Sequence, residues 1–207
     1  MLDISQKPYS LSSEQQAKVH EIVGKMSRSA KIGQLFFVIG QDGEQVDLAA
    51  FIKKYQPGGM MFRPTPAAKL TSEITALQQV SKVPLFIGAN LESGGNGIVN
   101  EGTWVGNPLG LAATDDVDSA RTLGQIAGFE AAQVGCNMSF APIVDIDQNF
   151  RNPITNTRTY GSDVERILAM AQAQGEALLE NRVIPVIKHF PGDGVDERDQ
   201  HLVASVN

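Results

Sequence analysis

Short apolar runs alternate along the chain with longer stretches whose apolar residues recur at helical spacing. Val19, Ile22, Val23 and Met26 fall three or four apart behind Ser13-x-x-Gln16, a capping-box spacing that opens a helix. Leu35-Phe36-Phe37-Val38-Ile39 reads as a first strand, residues 44–55 as a helix, and Gly59-Met60-Met61-Phe62 as a second strand. Thr65-Pro66 sets an N-cap ahead of a proline at the first position of a helix running to about Val80. Pro84 to Gly88 forms a third strand. After a glycine-rich loop, Val117, Ala120, Leu123, Ala127, Ala131 and Val134 mark a helix ahead of a short strand near Met138–Phe140. Ser162-x-x-Glu165 is a second capping box, and Val164, Ile167, Leu168, Ala171, Leu178 and Leu179 share one face of the helix behind it. Ile184 to Lys188 is the fifth strand.

No strand is followed by a two-residue hairpin signal, so the strands are expected to form a parallel sheet with right-handed crossovers. An open doubly wound sheet and a (β/α)8 barrel both fit that alternation. Gly40-Gln41-Asp42-Gly43 lacks the glycine pattern of a dinucleotide turn, and Gly94-Gly95-Asn96-Gly97 leads into polar loop rather than a helix. The polar residues favour the barrel. Arg63 follows strand two, Asn90 and Glu92 strand three, Asp145 and Asp147 strand four, and Lys188-His189 end strand five. The carboxyl ends of barrel strands are where active sites form. Only five β/α units can be counted, so residues 1–207 are expected to be the N-terminal portion of a TIM barrel, with three units after Asn207.

A chain of 207 residues, 42% hydrophobic and 19% charged, suits one soluble globular domain. A net charge of −6 argues against nucleic acid or an anionic membrane as partner. The lone Cys136 permits no intrachain disulfide and reads as a packed thiol. No secretory signal is visible and the longest apolar stretch, Leu35 to Ile39, is too short to span a bilayer. The expectation is a cytoplasmic protein. A five-strand partial barrel would leave two open edges, so self-association is expected as well.

The chemistry concentrates in Lys188-His189-Phe190-Pro191-Gly192-Asp193-Gly194-Val195-Asp196-Glu197-Arg198-Asp199-Gln200-His201. Asp199-x-His201 can orient an imidazole and raise its proton affinity, as a general acid/base near neutral pH requires. The alternative is a solvated charged loop. His189, Asp193 and Asp196 fit no standard metal spacing, so neither metal nor cofactor is expected.

This segment resembles the K-H-F-P-G-H-G-x4-D-[ST]-H signature of the β-N-acetylglucosaminidase branch of glycoside hydrolase family 3, in register from Lys188 to His201. Phe140-Ala141-Pro142-Ile143-Val144-Asp145 is similar to the family's F-A-P-V-x-D strand end. Asn152-Pro153 through Arg158-Thr159-Tyr160-Gly161-Ser162-Asp163 is similar to N-P-x-I-x-x-R-[ST]-[FY]-G-S-D. Ile32-Gly33-Gln34-Leu35 and Gly58 through Phe62 look like its first two strand segments. The resemblance implies a retaining β-N-acetylhexosaminidase that removes terminal β-linked N-acetylglucosamine, for example in cell-wall recycling. It implies His201 as general acid/base with Asp199 as its partner, and Lys188, His189 and Arg158 as sugar-binding residues. The mechanism implied is double displacement on an Asp nucleophile from a later strand, beyond residue 207.

Two departures stand out. Asn90 replaces an aspartate that accepts hydrogen bonds from the sugar, leaving an uncharged amide in that contact. Asp193 stands where the signature has His. Two other functions stay open: a β-N-acetylglucosaminide phosphorylase, and a non-catalytic sugar-binding protein.

Overall fold

The computed structural model describes residues 3–40 and 47–202; Gln41-Asp42-Gly43 and the 44–46 start of the expected 44–55 helix lie outside the described residues. In chain order the elements are α1 (Ser13–Lys25), α2 (Arg28–Gly33), β1 (Phe37–Ile39), α3 (Leu48–Tyr55), β2 (Gly59–Met61), α4 (Ala67–Val80) and β3 (Phe86–Ala89). Then follow α5 (Pro108–Ala112), α6 (Val117–Gln133), β4 (Met138–Ser139), α7 (Val164–Glu180) and β5 (Ile184–Pro185).

The five strands lie side by side in sequence order, and every neighbouring pair is parallel. A doubly wound sheet reverses its strand order at a switch point. This sheet does not. Each β/α unit adds to the same edge, which is how a (β/α)8 barrel grows, and the order argues against the doubly wound alternative. Leu70, Ile74 and Leu77 of α4 bury against Met60, Leu85 and Ile87 in the main core. Each such side chain contributes about 1.5–3 kcal/mol by leaving water. Tyr160, Ile167 and Met170 anchor a second core beside α5 and α6. No helix among the described residues is long and apolar enough to cross a membrane.

Helix starts differ from the pattern by one residue. The first capping box is Ser12 with Gln15, whose side chain accepts from Ser12 N at 2.8 Å, and α7 is capped by Asp163, which accepts from Arg166 N at 2.8 Å. Asp163 also places a negative charge at the positive end of the helix dipole, an advantage Ser162 lacks. At α4 the cap position is Pro66, and the Ala67 N–H is satisfied by the Glu101 carboxylate at 3.1 Å, a partner 34 residues away. β1 begins at Phe37 rather than Leu35, because Leu35 and Phe36 close the turn after α2 with N–H bonds to Ile32 and Gly33 carbonyls.

Candidate active site

The polar residues at the carboxyl ends of β3, β4 and β5 converge. Beyond the regular strands the sheet continues as a parallel bridge between Ile143 and Lys188, with Val144 N donating to Lys188 O at 2.9 Å. Lys188 is thereby set in register two residues from Asp145. Its side chain crosses over β4: Nζ donates to Asn90 Oδ1 at 3.0 Å and to Glu92 Oε1 at 2.5 Å. Two strand spacings are about 10 Å, a gap the Lys and Glu side chains close together.

Arg158 comes from a 3₁₀ turn, Asn156–Arg158, and grips the same carboxylate from the other side. Nε donates to Glu92 Oε2 at 2.7 Å and Nη2 to Oε1 at 2.8 Å, a bidentate pairing, while Nη1 donates to the Ile154 carbonyl at 2.7 Å. Burial pushes the Glu92 carboxyl up, but the Arg158 hydrogen bonds and the Lys188 charge outweigh it and leave it below the usual carboxylate range.

Asp145 is fully buried and forms the second centre. It accepts from the His189 ring Nδ1 at 2.7 Å and from the backbone N–H groups of His189 and Asp193, the latter at 2.7 Å. Burial raises its pKa. The His189 hydrogen bond and the Asp193 N–H overcome that and lower it on balance.

Two cations, Lys188 and Arg158, thus face Glu92 and Asp145, and the Asp193 carboxylate also acts on Arg158. The cluster is rich in directed donors. Lys188 and Arg158 keep N–H groups beyond those already committed, and the His189 ring keeps Nε2. Such a cluster offers several donors to the hydroxyls of a polyhydroxyl ligand. Both carboxylates are tied down by protein donors, so neither is presented as a free nucleophile.

The segment after Lys188 is built against residues 146–157. A Cβ on Gly194 would lie 1.6 Å from the Ile146 carbonyl oxygen, so only glycine admits this approach, and the Gly194 carbonyl accepts from Gln148 and Asn149 N–H at 3.1 Å each. The fully buried Asn152 donates to the carbonyls of Asp193 and Asp196 and accepts from Ile154, Thr155 N and Thr155 Oγ1. At the far end His201 Nδ1 meets Asp199 Oδ1 at 2.8 Å, with the imidazole 78% exposed. The His201 N–H and then its ring hold the Asp199 carboxyl below its ordinary range.

The residues singled out from the sequence therefore fall into two groups. Asn90, Arg158, Lys188 and His189 surround Glu92 and Asp145; Asp199 and His201 pair with each other on the exposed loop. Glu92 and Asp145 are the residues that sequence reasoning left out of the site. Their positions just past β3 and β4 were the available signal. Among the described residues, no group of three or more His, Cys, Asp or Glu side chains is gathered to hold a metal ion.

The lowered carboxyl of Glu92 has a consequence for stability. Its folded-state pKa lies below the unfolded one, so the stabilisation is present above the usual carboxylate range and is lost as pH falls through the folded value. The thermal midpoint is expected to drop below about pH 4. In Glu92→Gln it should start lower at neutral pH and change less on acidification; parallel curves for the two proteins would contradict this.

Over residues 28–206 the chain matches the sequence profile described as the Glycosyl hydrolase family 3 N terminal domain. It is 44% identical over 207 residues to a beta-N-acetylglucosaminidase/beta-glucosidase of Cellulomonas fimi, covering 100% of this chain and 37% of that protein. It is 27% identical over 180 residues to the beta-hexosaminidase LpqI of Mycobacterium tuberculosis, covering 85% of this chain and 46% of that protein. Among solved structures it is similar to the beta-glucoside phosphorylase BglX bound to 2FGlc, with a TM-score of 0.94 and 47% identity over 99% of this chain and 37% of that one. It is also similar to a family 3 beta-N-acetylglucosaminidase from Paenibacillus sp. str. FPU-7, with a TM-score of 0.79 and 30% identity over 85% of this chain and 35% of that one. The chain spans less than half the length of each of these proteins.

Proposed function

Because this chain belongs to glycoside hydrolase family 3, we propose that the protein carrying it is a retaining glycosidase that removes terminal β-linked N-acetylglucosamine. The observation that carries this reading is the hydrogen-bonded cluster of Asn90, Glu92, Asp145, Arg158, Lys188 and His189 at the carboxyl end of a parallel sheet. Its free N–H groups bind the hydroxyls of the terminal sugar, and Glu92 and Asp145 hold the donors in place. The attacking carboxylate comes from outside these 207 residues. It bonds to the anomeric carbon as the glycosidic C–O bond breaks, and His201 gives its proton to the departing oxygen. Asp199 stabilises the imidazolium. In the second step the neutral imidazole takes a proton from water, whose oxygen displaces the carboxylate from the same carbon.

A second reading, phosphorolysis, is favoured by one observation: the similar solved structure at 47% identity is a beta-glucoside phosphorylase. A histidine acid also adds no second anion beside the anomeric carbon, so phosphate can approach. Product analysis separates the two. With an aryl β-N-acetylglucosaminide, hydrolysis gives the free sugar at a rate indifferent to phosphate. Phosphorolysis gives the sugar 1-phosphate at a rate that rises with phosphate. Absence of turnover of β-N-acetylglucosaminides and β-glucosides in both buffers would overturn both readings.

A further inference from the structure

The loop between the sugar pocket and His201 is closed by a side-chain contact. At its start, Asp193 is fixed to the pocket floor. Its N–H donates to Asp145 Oδ1 at 2.7 Å, and its carbonyl accepts from Asn152 Nδ2 at 2.6 Å. The Asp193 carboxylate is left for another partner, and it accepts a hydrogen bond from the side-chain amide of Gln200. Gln200 immediately precedes His201. The contact therefore closes residues 193–200 into a ring and leaves the imidazole one peptide from an anchored point.

Both members of this contact differ from the signature the segment otherwise follows, which has His at the first position and Ser or Thr at the second. The two residues that differ are the two that touch. A Ser or Thr hydroxyl at 200 would end nearer the backbone than the Gln200 amide and would stop short of residue 193.

The geometry points to Asp193 as a positioning residue: through Gln200 it ties the loop that carries the His201–Asp199 pair to the Asp145 end of the site. It acts on the acid through Gln200. Its effect is to confine a loop whose imidazole is otherwise largely in solvent, which raises the fraction of time the acid stands within reach of the leaving oxygen. The claim rests on the reading of His201 as the acid.

The test is steady-state kinetics of the protein as its gene encodes it, on an activated aryl and an alkyl β-N-acetylglucosaminide. Asp193→Ala and Gln200→Ala should each lower kcat on the alkyl substrate about tenfold with little change in KM, and affect the aryl substrate much less. The double variant should be no slower than either single one, because one contact is lost in all three. Asp193→Asn should recover most of the loss, since its amide oxygen still accepts from Gln200. Should Asp193→Ala disturb folding, the exposed Gln200→Ala carries the same comparison. Equal losses on both substrates, an additive double variant, or an Asn variant as poor as Ala would overturn the positioning role. If His201→Ala shows the leaving-group dependence and Asp193→Ala does not, this inference alone fails; if His201→Ala shows none, the acid assignment fails and takes the inference with it.

Discussion

Alanine at His201 is expected to slow hydrolysis of alkyl and disaccharide β-N-acetylglucosaminides by about 10²–10⁴-fold, while activated aryl glycosides lose about tenfold or less. The difference follows from what the imidazole supplies. A nitrophenolate leaves without a proton, whereas an alkoxide is so poor a leaving group that the C–O bond breaks only as the oxygen is protonated. The ring is suited to this by its contact with Asp199, whose carboxylate accepts at 2.8 Å from Nδ1 and directs Nε2 outward. With the activated substrate, breakdown of the glycosyl-enzyme should respond to added azide in the variant, because an anionic nucleophile needs no general base. Uniform losses across leaving groups, with no response to azide, would remove the acid/base role.

The second large effect is expected at Asp145. Asp145→Ala should destabilise the protein by about 3 kcal/mol and lower kcat/KM by at least about a hundredfold. The carboxylate is fully buried and accepts from the His189 ring and from two backbone N–H groups, so its removal leaves those donors without a partner and releases the start of the 193–201 loop. Asp145→Asn separates the two effects. Its oxygen still accepts from Asp193 N–H, and its NH2 can donate to His189 Nδ1 if the ring proton moves to Nε2. Most of the stability should return. Activity should not, because the uncharged amide no longer holds the ring through an Nδ1 proton as the carboxylate does. Chemical denaturation and kinetics on the two variants check this; full activity in the Asn variant would show that the carboxylate's hold on the ring is irrelevant to activity.

The sequence made the parallel α/β alternation legible because each β/α unit has its own period and its own caps, both local properties. The barrel reading rested on the placement of Asn90, Asp145 and Lys188-His189 after strands, and the sequential strand order supports it on independent grounds. What the sequence hid was non-local. The Glu101 carboxylate that receives the Ala67 N–H, and the short helix α5 inside a glycine-rich loop, depend on partners far along the chain. Glu92 was visible as a strand-end residue, yet nothing near it in sequence shows that Arg158 and Lys188, 66 and 96 residues away, grip it from both sides. Asp193 was legible only as a departure from a pattern. Its carboxylate gained a meaning once Gln200 was seen against it.

The most direct test is the anomeric configuration of the sugar first released from a β-N-acetylglucosaminide in phosphate-free buffer, followed by NMR before mutarotation scrambles it. A pocket that serves double displacement should release the β anomer first. Initial release of the α anomer would contradict the mechanism proposed for this site.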